Sequence, residues 1–514
     1  MKNRCIGKAL IILVFIAGLY TVGNIRETEP AYGESVASDA SAATEAESKA
    51  GVTQMAAQQA YRNDLSEAFR VILEGATKEF IAGYVIDESF LMWLDAVYGD
   101  EKIIELASRV LDSETDVDTW YEVLGSSIHV LWLEYCGSTG FQNYLLNDVY
   151  RKECASGEET VISFAGDFNF ADGWCTTEYM EKQPNGIYDC FSENLLDAMN
   201  ASDILLMNNE FTYTDYTVPL AGKDYTFRAE PGAAELLSVF GTDAVTLANN
   251  HVFDFGEIGL SDTMKCLAQN EIPYLGAGEN REEASRILYF VANGRKIAFV
   301  SATEIERSKK YTREATETQS GVLKTLDVNK FLPVIEQAKQ VSDYVVAVVH
   351  WGTEGTLYPD SSQKRLAQQI VGAGADAIIG GHPHRLQGAS FVNGAPVAYS
   401  IGNFWFSDGT LYTTLAQIVI SADGELQLRY LPCIQEELRT RLITDEAGQE
   451  DFYHYLAAIS QDVGIDAQGN VYDKSAPDYP EGQILYDSDT STTGISGYTD
   501  NEGNAIDIVG NLRR

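Results

Sequence analysis

Apolar and polar positions along the chain fall into three textures. From Val52 to about Cys154 apolar residues recur at three- and four-residue steps, as in "AYRNDLSEAFRVILEGATKEFIAGYVI" and "DTWYEVLGSSIHVLWLEYC". That spacing predicts amphipathic helices. From Thr160 short β-branched runs take over: "VISFA", "DILLM", "DAVTLA", "KIAFVS", "YVVAVV", "DAIIG" and "PVAYSI". Between several of them lie helix-length segments such as "FSENLLDAMNAS", "PGAAELLSVFG" and "SQKRLAQQIVGAG". The alternation predicts an α/β domain with largely buried strands. After Leu415, "AQIVISADGELQLRYLPC" predicts a hairpin turning at Asp423 and Gly424. The pattern weakens after about residue 433. From Ser475 onward Asp, Ser, Thr and Gly dominate without a core-forming run, which predicts a disordered or loosely packed tail.

The N-terminus has a different character. Lys2, Arg4 and Lys8 lead into the apolar run Ala9 to Val22, a length that suits a signal-peptide core better than a full membrane span. Residues 1–26 are therefore read as a signal peptide or an N-terminal membrane anchor. The protein is expected to be extracytoplasmic, either secreted or anchored to the cell membrane by this segment. Residues 27–52, rich in Ser, Ala, Glu and Gly without periodicity, read as a linker. The expected order continues with a helical accessory domain (53–155), the α/β domain (160–432), a C-terminal extension (433–474) and the tail (475–514). His129 lies in an apolar helix and reads as a packed core residue, and His454 in "DFYHYLAAI" has no motif around it.

Charge and cysteine content narrow the function. The net charge is −40, from 76 acidic and 36 basic residues. Such a surface repels nucleic acid and anionic lipid headgroups, so neither is an expected partner. Seven cysteines are spread without a CxxC pair, which argues against a zinc ribbon or a thioredoxin-type site. Cys175 and Cys190 are close enough in sequence for a local disulfide in an oxidising compartment.

The chemistry concentrates where strands end. "VISFAGDFN" closes on Asp167 and Asn169, "DILLMNNE" on Asn209 and Glu210, and "DAVTLANNH" on Asn249, Asn250 and His251. "YVVAVVHWGTE" closes on His350 with Glu354 beyond it, "DAIIGGHPH" on His382 and His384, and "PVAYSIGN" on Asn403. Functional groups collect at the carboxyl ends of strands in open α/β sheets, so six such ends can form one cleft. Four of the chain's six histidines lie there. A set of Asp, Glu, Asn and His offers mixed oxygen and imidazole ligands, suited to Mn, Fe or Zn. Two such ions roughly 3.5–4 Å apart need a bridging carboxylate and a divided set of histidines. The constellation asks for a two-metal hydrolase.

In order, "AGDFN", "NNE", "ANNHVFDFGEIGL", "GAGEN", "HWGTE", "GGHPHRLQG" and "YSIGNFWF" resemble the CapA, or poly-γ-glutamate capsule synthesis, family. That family belongs to the calcineurin-like metallophosphoesterase superfamily. The resemblance spans about residues 160–432 and implies a four-layer α/β/β/α sandwich, here preceded by a mainly helical N-terminal region. It implies two divalent ions: Asp167 and His384 on the first, Glu210 as the bridge, and Asn250, His350 and His382 on the second. His251 resembles the histidine that contacts the scissile phosphate and assists the leaving group, with Asp254 orienting it. Asn169, Asn209, Glu354, Arg385 and Asn403 are candidates for substrate contact or for support of the ligands.

This chain also departs from the pattern. Asn169 stands where the superfamily's first motif, commonly Asp-x-His, has its histidine, which leaves a single-metal site as the alternative. The arginine often seen soon after the first aspartate is missing from "GDFNFADGW", and Gly355 follows Glu354 where a Tyr is frequent. The resemblance implies an exported phosphoesterase-fold enzyme of capsule or cell-envelope polymer biosynthesis, acting on that polymer or a phosphoester and not on nucleic acid. A capsule-synthesis membrane complex is the implied partner assembly. The alternatives are a general extracytoplasmic phosphomonoester, phosphodiester or nucleotide hydrolase, and a polymer-binding or export partner without turnover.

Overall fold

A computed structural model describes residues 65–73, 86, 88–112, 117–139, 149–307, 310–489, 498–499 and 505–506. The leader and linker expected in residues 1–52 lie outside the described residues. Leu65–Arg514 form one compact unit.

Two β-sheets carry the fold. One has seven strands in the order Val149–Arg151, Leu288–Ala292, Arg295–Thr303, Tyr344–His350, Ala377–Gly381, Ala395–Ile401 and Leu386–Val392. The other runs Tyr486–Asp487, Val463–Ile465, Asn470–Asp473, Leu426–Glu436, Leu411–Ser421, Glu159–Phe168, Ile204–Asn209, Ala244–Thr246 and Tyr274–Leu275. Asn403–Trp405 and Arg439–Leu442 add to it by pairing with Glu159–Phe168 and Leu426–Glu436. The expected hairpin is present, with Leu411–Ser421 antiparallel to Leu426–Glu436 and Gly424 at φ 88° in its turn.

Three apolar cores define four layers. Between the sheets, Phe164, Phe299, Ile379, Ile418 and Tyr430 are all buried in one cluster. On the far side of the second sheet, Leu195, Phe240 and Leu267 pack against Phe168 and Met207. These belong to the helix Glu193–Asn200, the 3-10 helix Pro231–Phe240 and the helix Gly256–Gln269. On the far side of the seven-stranded sheet, helices Val328–Gln340 and Ser361–Gly372 bury Phe331, Ile335, Leu366 and Ile370. This α/β/β/α sandwich is the expected fold. Its strands read as near-continuous apolar runs because both faces of each sheet are covered.

The N-terminal helices Glu88–Tyr98, Asp100–Asp112, Val117–Leu124 and Ile128–Thr139 share that last core, with Phe90, Leu106, Trp120 and Leu131 beside Val300 and Val345. Gly125, at φ 70°, separates the third of these from the fourth within what reads as one apolar run. His129 is buried among them, as expected of a core residue, with Nε2 3.9 Å from Asp343. The segment after residue 475 is not uniform: Tyr486–Asp487 pairs with Val463–Ile465, and Tyr498–Thr499 pairs with Ala505–Ile506. The considered Cys175–Cys190 disulfide is not formed. Cys190 is buried at the end of a 3-10 turn, Cys175 opens a helix, and both are free thiols. Among the described residues no helix is long and apolar enough to cross a membrane.

Parallel pairing sets the position of the site. Glu159–Phe168, Ile204–Asn209 and Ala244–Thr246 run parallel in one sheet. Arg295–Thr303, Tyr344–His350, Ala377–Gly381 and Ala395–Ile401 do so in the other. Their polar carboxyl ends converge. Gly166 lets the sheets meet there, since a Cβ at that position would lie 2.0 Å from the Gly402 carbonyl oxygen.

Candidate metal centre

Glu210 is the hub of the convergent residues. One ligand-forming group comprises Asp167, Glu210 and His350; a second comprises Glu210, His382 and His384. Within each group the ligand atoms lie within 4.8 Å of one another. The Glu210 Oε1 atom sits 3.5 Å from His350 Nε2 and 3.8 Å from His384 Nε2. The His350 and His382 rings also lie together, with centroids 4.8 Å apart. Asp167 stays close to both groups, because its Oδ2 atom is 3.2 Å from His384 Nδ1. Asn250 is brought in by its side-chain oxygen, 2.8 Å from His350 Nε2.

Several of these atoms are buried without a hydrogen-bond partner: Asp167 Oδ2, Glu210 Oε1 and His382 Nδ1. Native interiors rarely leave such atoms unsatisfied, and each orphan costs about 1–3 kcal/mol. A divalent cation would satisfy all three with a donor set of two carboxylates and three imidazoles. The residues therefore fit the implied metals. His382 and His384 are also held at φ 96° and 55° on either side of Pro383. Left-handed backbone at residues other than glycine costs about 1–3 kcal/mol and clusters at functional sites.

Electrostatics at the hub point the same way. Burial drives Glu210 well above the ordinary carboxylate range, and the neighbouring Asp167 carboxylate adds to the rise. Burial would also raise Asp167, but His384, His350 and Asn208 outweigh it and hold the group at about 2. Burial drives His350 down to about 3 and His382 well below its usual value. His384 is raised, because Asp167 and Asn403 overcome the cost of its burial. The neutral imidazoles of His350 and His382 are the form in which histidine binds cations, and a cation at the hub would favour the ionised form of Glu210.

The remaining expected residues take supporting places. Asn403 Oδ1 lies 2.7 Å from His384 Nδ1 and fixes that ring. Asn169 turns away into its own loop, where its side-chain oxygen accepts from the Ala171 amide at 2.8 Å. Asn209 donates to the Phe211 carbonyl at 3.0 Å and is likewise a loop residue. Glu354 is 65% exposed and reaches His382 only at 4.0 Å. Asn249 shapes the turn: its oxygen accepts from the His251 and Val252 amides at 3.0 and 2.9 Å, while its amide holds the Asn209 carbonyl.

His251 belongs to neither ligand group. Its Nδ1 lies 2.9 Å from Asp254 Oδ2, and the ring packs 4.5 Å from Phe227. Nε2 is left for the cleft that His251 lines. Burial lowers the imidazole, and Asp254 opposes that fall. The open cleft has a volume of about 1080 Å3 and is bounded by Trp174, Tyr225, Tyr311, Arg385 and Phe406. The void lined by Asp167 and His350 is about 30 Å3, space for a water, so of the two only the open cleft has room for a larger molecule.

Two site residues were missed by reading the sequence. Asn208 donates from one amide nitrogen to Asp167 Oδ1 at 2.7 Å and to Glu210 Oε2 at 3.2 Å. Strand alternation was the available signal, since Asn208 and Glu210 are two residues apart and face one way, with Asn209 facing the other. Lys223, from the loop between Thr212–Tyr213 and Arg228–Ala229, bonds Asp254 Oδ1 at 2.5 Å. No sequence pattern marked it.

The fold is a sandwich of the metallophosphoesterase type, with the candidate ligand residues at the carboxyl ends of two facing sheets. Residues 161–408 match the family described as bacterial capsule synthesis protein PGA_cap. The chain is 32% identical over 278 residues to the PGA biosynthesis protein CapA of Bacillus subtilis (strain 168), covering 52% of this chain and 70% of that one. It belongs to the CapA family of poly-γ-glutamate capsule synthesis proteins. The capsule biosynthesis protein CapA of Bacillus anthracis is also 32% identical, over 249 residues. That match spans 47% of this chain and 58% of the relative's own length. Among solved structures, a 5'-nucleotidase from Candida albicans SC5314 overlaps 55% of this chain and 54% of its own at 12% identity and a TM-score of 0.30.

Proposed function

We propose that this protein is an exported, cation-dependent phosphoester hydrolase serving the biosynthesis of poly-γ-glutamate capsule or a related cell-envelope polymer. The observation that carries the reading is the pair of carboxylate–imidazole groups sharing Glu210 beneath a cleft whose wall presents His251. Asp167, Glu210, Asn250, His350, His382 and His384 would hold Mn, Fe or Zn, two ions per chain. When bound, such ions polarise phosphoryl oxygens and activate water.

The chain's own groups divide the remaining work. Asp254 accepts from His251 Nδ1–H, so once the ring takes up a second proton, its Nε2–H can pass that proton to the oxygen of the departing group and leave the Nδ1–H tautomer behind. Asn208 and Asn403 hold the carboxylates and His384 in place. Arg385 lines the cleft next to His384 and offers a guanidinium to an anionic group of the substrate. The capsule role rests on the CapA relatives, and a capsule-synthesis membrane complex is the partner proposed with it. The leader read in residues 1–26 supports an extracytoplasmic activity.

The test is turnover by the purified chain loaded with Mn or Zn on phosphomonoester, phosphodiester and γ-glutamyl substrates. Hydrolysis of a phosphoester that stops on chelation and returns with added cation is the expected result. Bound cation without turnover of any phosphoester would overturn the catalytic reading and leave a polymer-binding protein.

A further inference from the structure

Lys223 has an unusual position for a lysine in so acidic a protein. Its side chain is only 8% exposed, although its loop runs over the surface of the cleft. The ammonium bonds Asp254 Oδ1 at 2.5 Å and also the main-chain carbonyl of Asn250. Glu306 Oε1 lies 3.9 Å away on the other side.

These contacts complete a set around two neighbouring residues. Asp254 Oδ2 accepts from the Phe227 amide at 2.7 Å and faces His251 Nδ1 at 2.9 Å, so Lys223 occupies the other oxygen. The Asn250 carbonyl also accepts from Thr312 Oγ1 at 3.0 Å, and the Asn250 side chain reaches His350. Phe227 lies four residues beyond Lys223 in the same loop, so one loop grips Asp254 from both sides. A carboxylate bonded at both oxygens cannot rotate to offer His251 a different geometry.

We infer that Lys223 is a positioning residue that clamps Asp254 and the Asn250 main chain, fixing the His251 tautomer with its proton on Nδ1. The expected kinetic effect rests on the proposed role of His251 in phosphoester cleavage, whereas the tautomer itself can be read without turnover. Loss of a supporting contact of this kind lowers activity about 10- to 100-fold. Lys223→Met keeps the length and packing of the side chain while removing its charge and donors.

The experiment uses the full chain, labelled with 15N-histidine, with the His251 signal assigned by its loss in His251→Gln. In the parent protein a slowly exchanging Nδ1–H signal is expected. In Lys223→Met that signal should disappear or exchange at least about tenfold faster, and kcat should fall about 10- to 100-fold with KM little changed. Lys223→Ala should recover part of its kcat on addition of methylammonium, which a general loss of structure would not allow. An unchanged Nδ1–H signal in Lys223→Met overturns the inference, and so does a failure of methylammonium to restore any activity to a folded Lys223→Ala. A parent protein that binds cations but turns over no phosphoester overturns the hydrolase reading alone, and the tautomer signal then decides the clamp.

Discussion

Removing the His251 imidazole separates proton donation from cation binding. His251→Ala leaves both ligand groups intact, because neither includes this residue. Its Nε2 faces the cleft, while Nδ1 is committed to Asp254 at 2.9 Å. A positioned general acid contributes about 10²- to 10⁴-fold, or about 3–5 kcal/mol of transition-state stabilisation. That full loss is expected only when the departing oxygen needs a proton. The assay therefore compares an alkyl phosphoester with its p-nitrophenyl counterpart, whose phenolate leaves unprotonated. The alkyl ester should lose about 10²- to 10⁴-fold and the nitrophenyl ester far less. The cavity left beside the Phe227 ring, 4.5 Å away, would disturb both substrates alike. Equal losses for the two esters, or loss of bound cation, would refute the role assigned to His251.

Two further outcomes follow from other contacts. Asn208→Ala leaves Asp167 Oδ1 and Glu210 Oε2 without their shared donor, so cation affinity should fall about 10- to 100-fold by titration calorimetry. Lys296 is buried with its ammonium 4.1 Å from the Tyr289 ring, and burial lowers it from 10.5 to about 7 despite the opposing pull of Asp343. Between those values the unfolded chain holds a proton that the folded chain releases, so this group makes stability rise with pH. Relative to Lys296→Met, the parent protein should gain about 2–3 kcal/mol between pH 7 and pH 9, measured by denaturant unfolding at each pH.

The fold was legible because its strands are buried on both faces and end abruptly in polar residues. "YVVAVVH" could be placed as a strand and His350 at its carboxyl end from the pattern alone. The order of strands was not legible, since it depends on long-range pairing. Nor was the short reach from Gly166 to Gly402 that brings Asp167 beside Asn403. Within the site, residue type and position at a strand end located Asp167, Glu210, Asn250 and the histidines.

Orientation was harder to read. Asn208 rather than Asn209 faces the carboxylates, a distinction of one residue in a period of two. Asn169 occupies the motif's third position but spends its side chain on its own turn. Lys223 is brought to Asp254 from 31 residues away, by a loop whose sequence gives no sign of a buried ammonium. The grouping of imidazoles around Glu210 likewise depends on the left-handed backbone at His382 and His384.

The central claim is that Glu210 joins two cation sites. It is tested most directly by counting cations per chain by mass spectrometry, after saturation with Mn or Zn and removal of excess metal, for the parent protein and Glu210→Gln. Two ions in the parent and a loss of at least one in Glu210→Gln are the predicted result. A parent chain that retains no cation, or a Glu210→Gln chain that retains both with unchanged affinity, would contradict it.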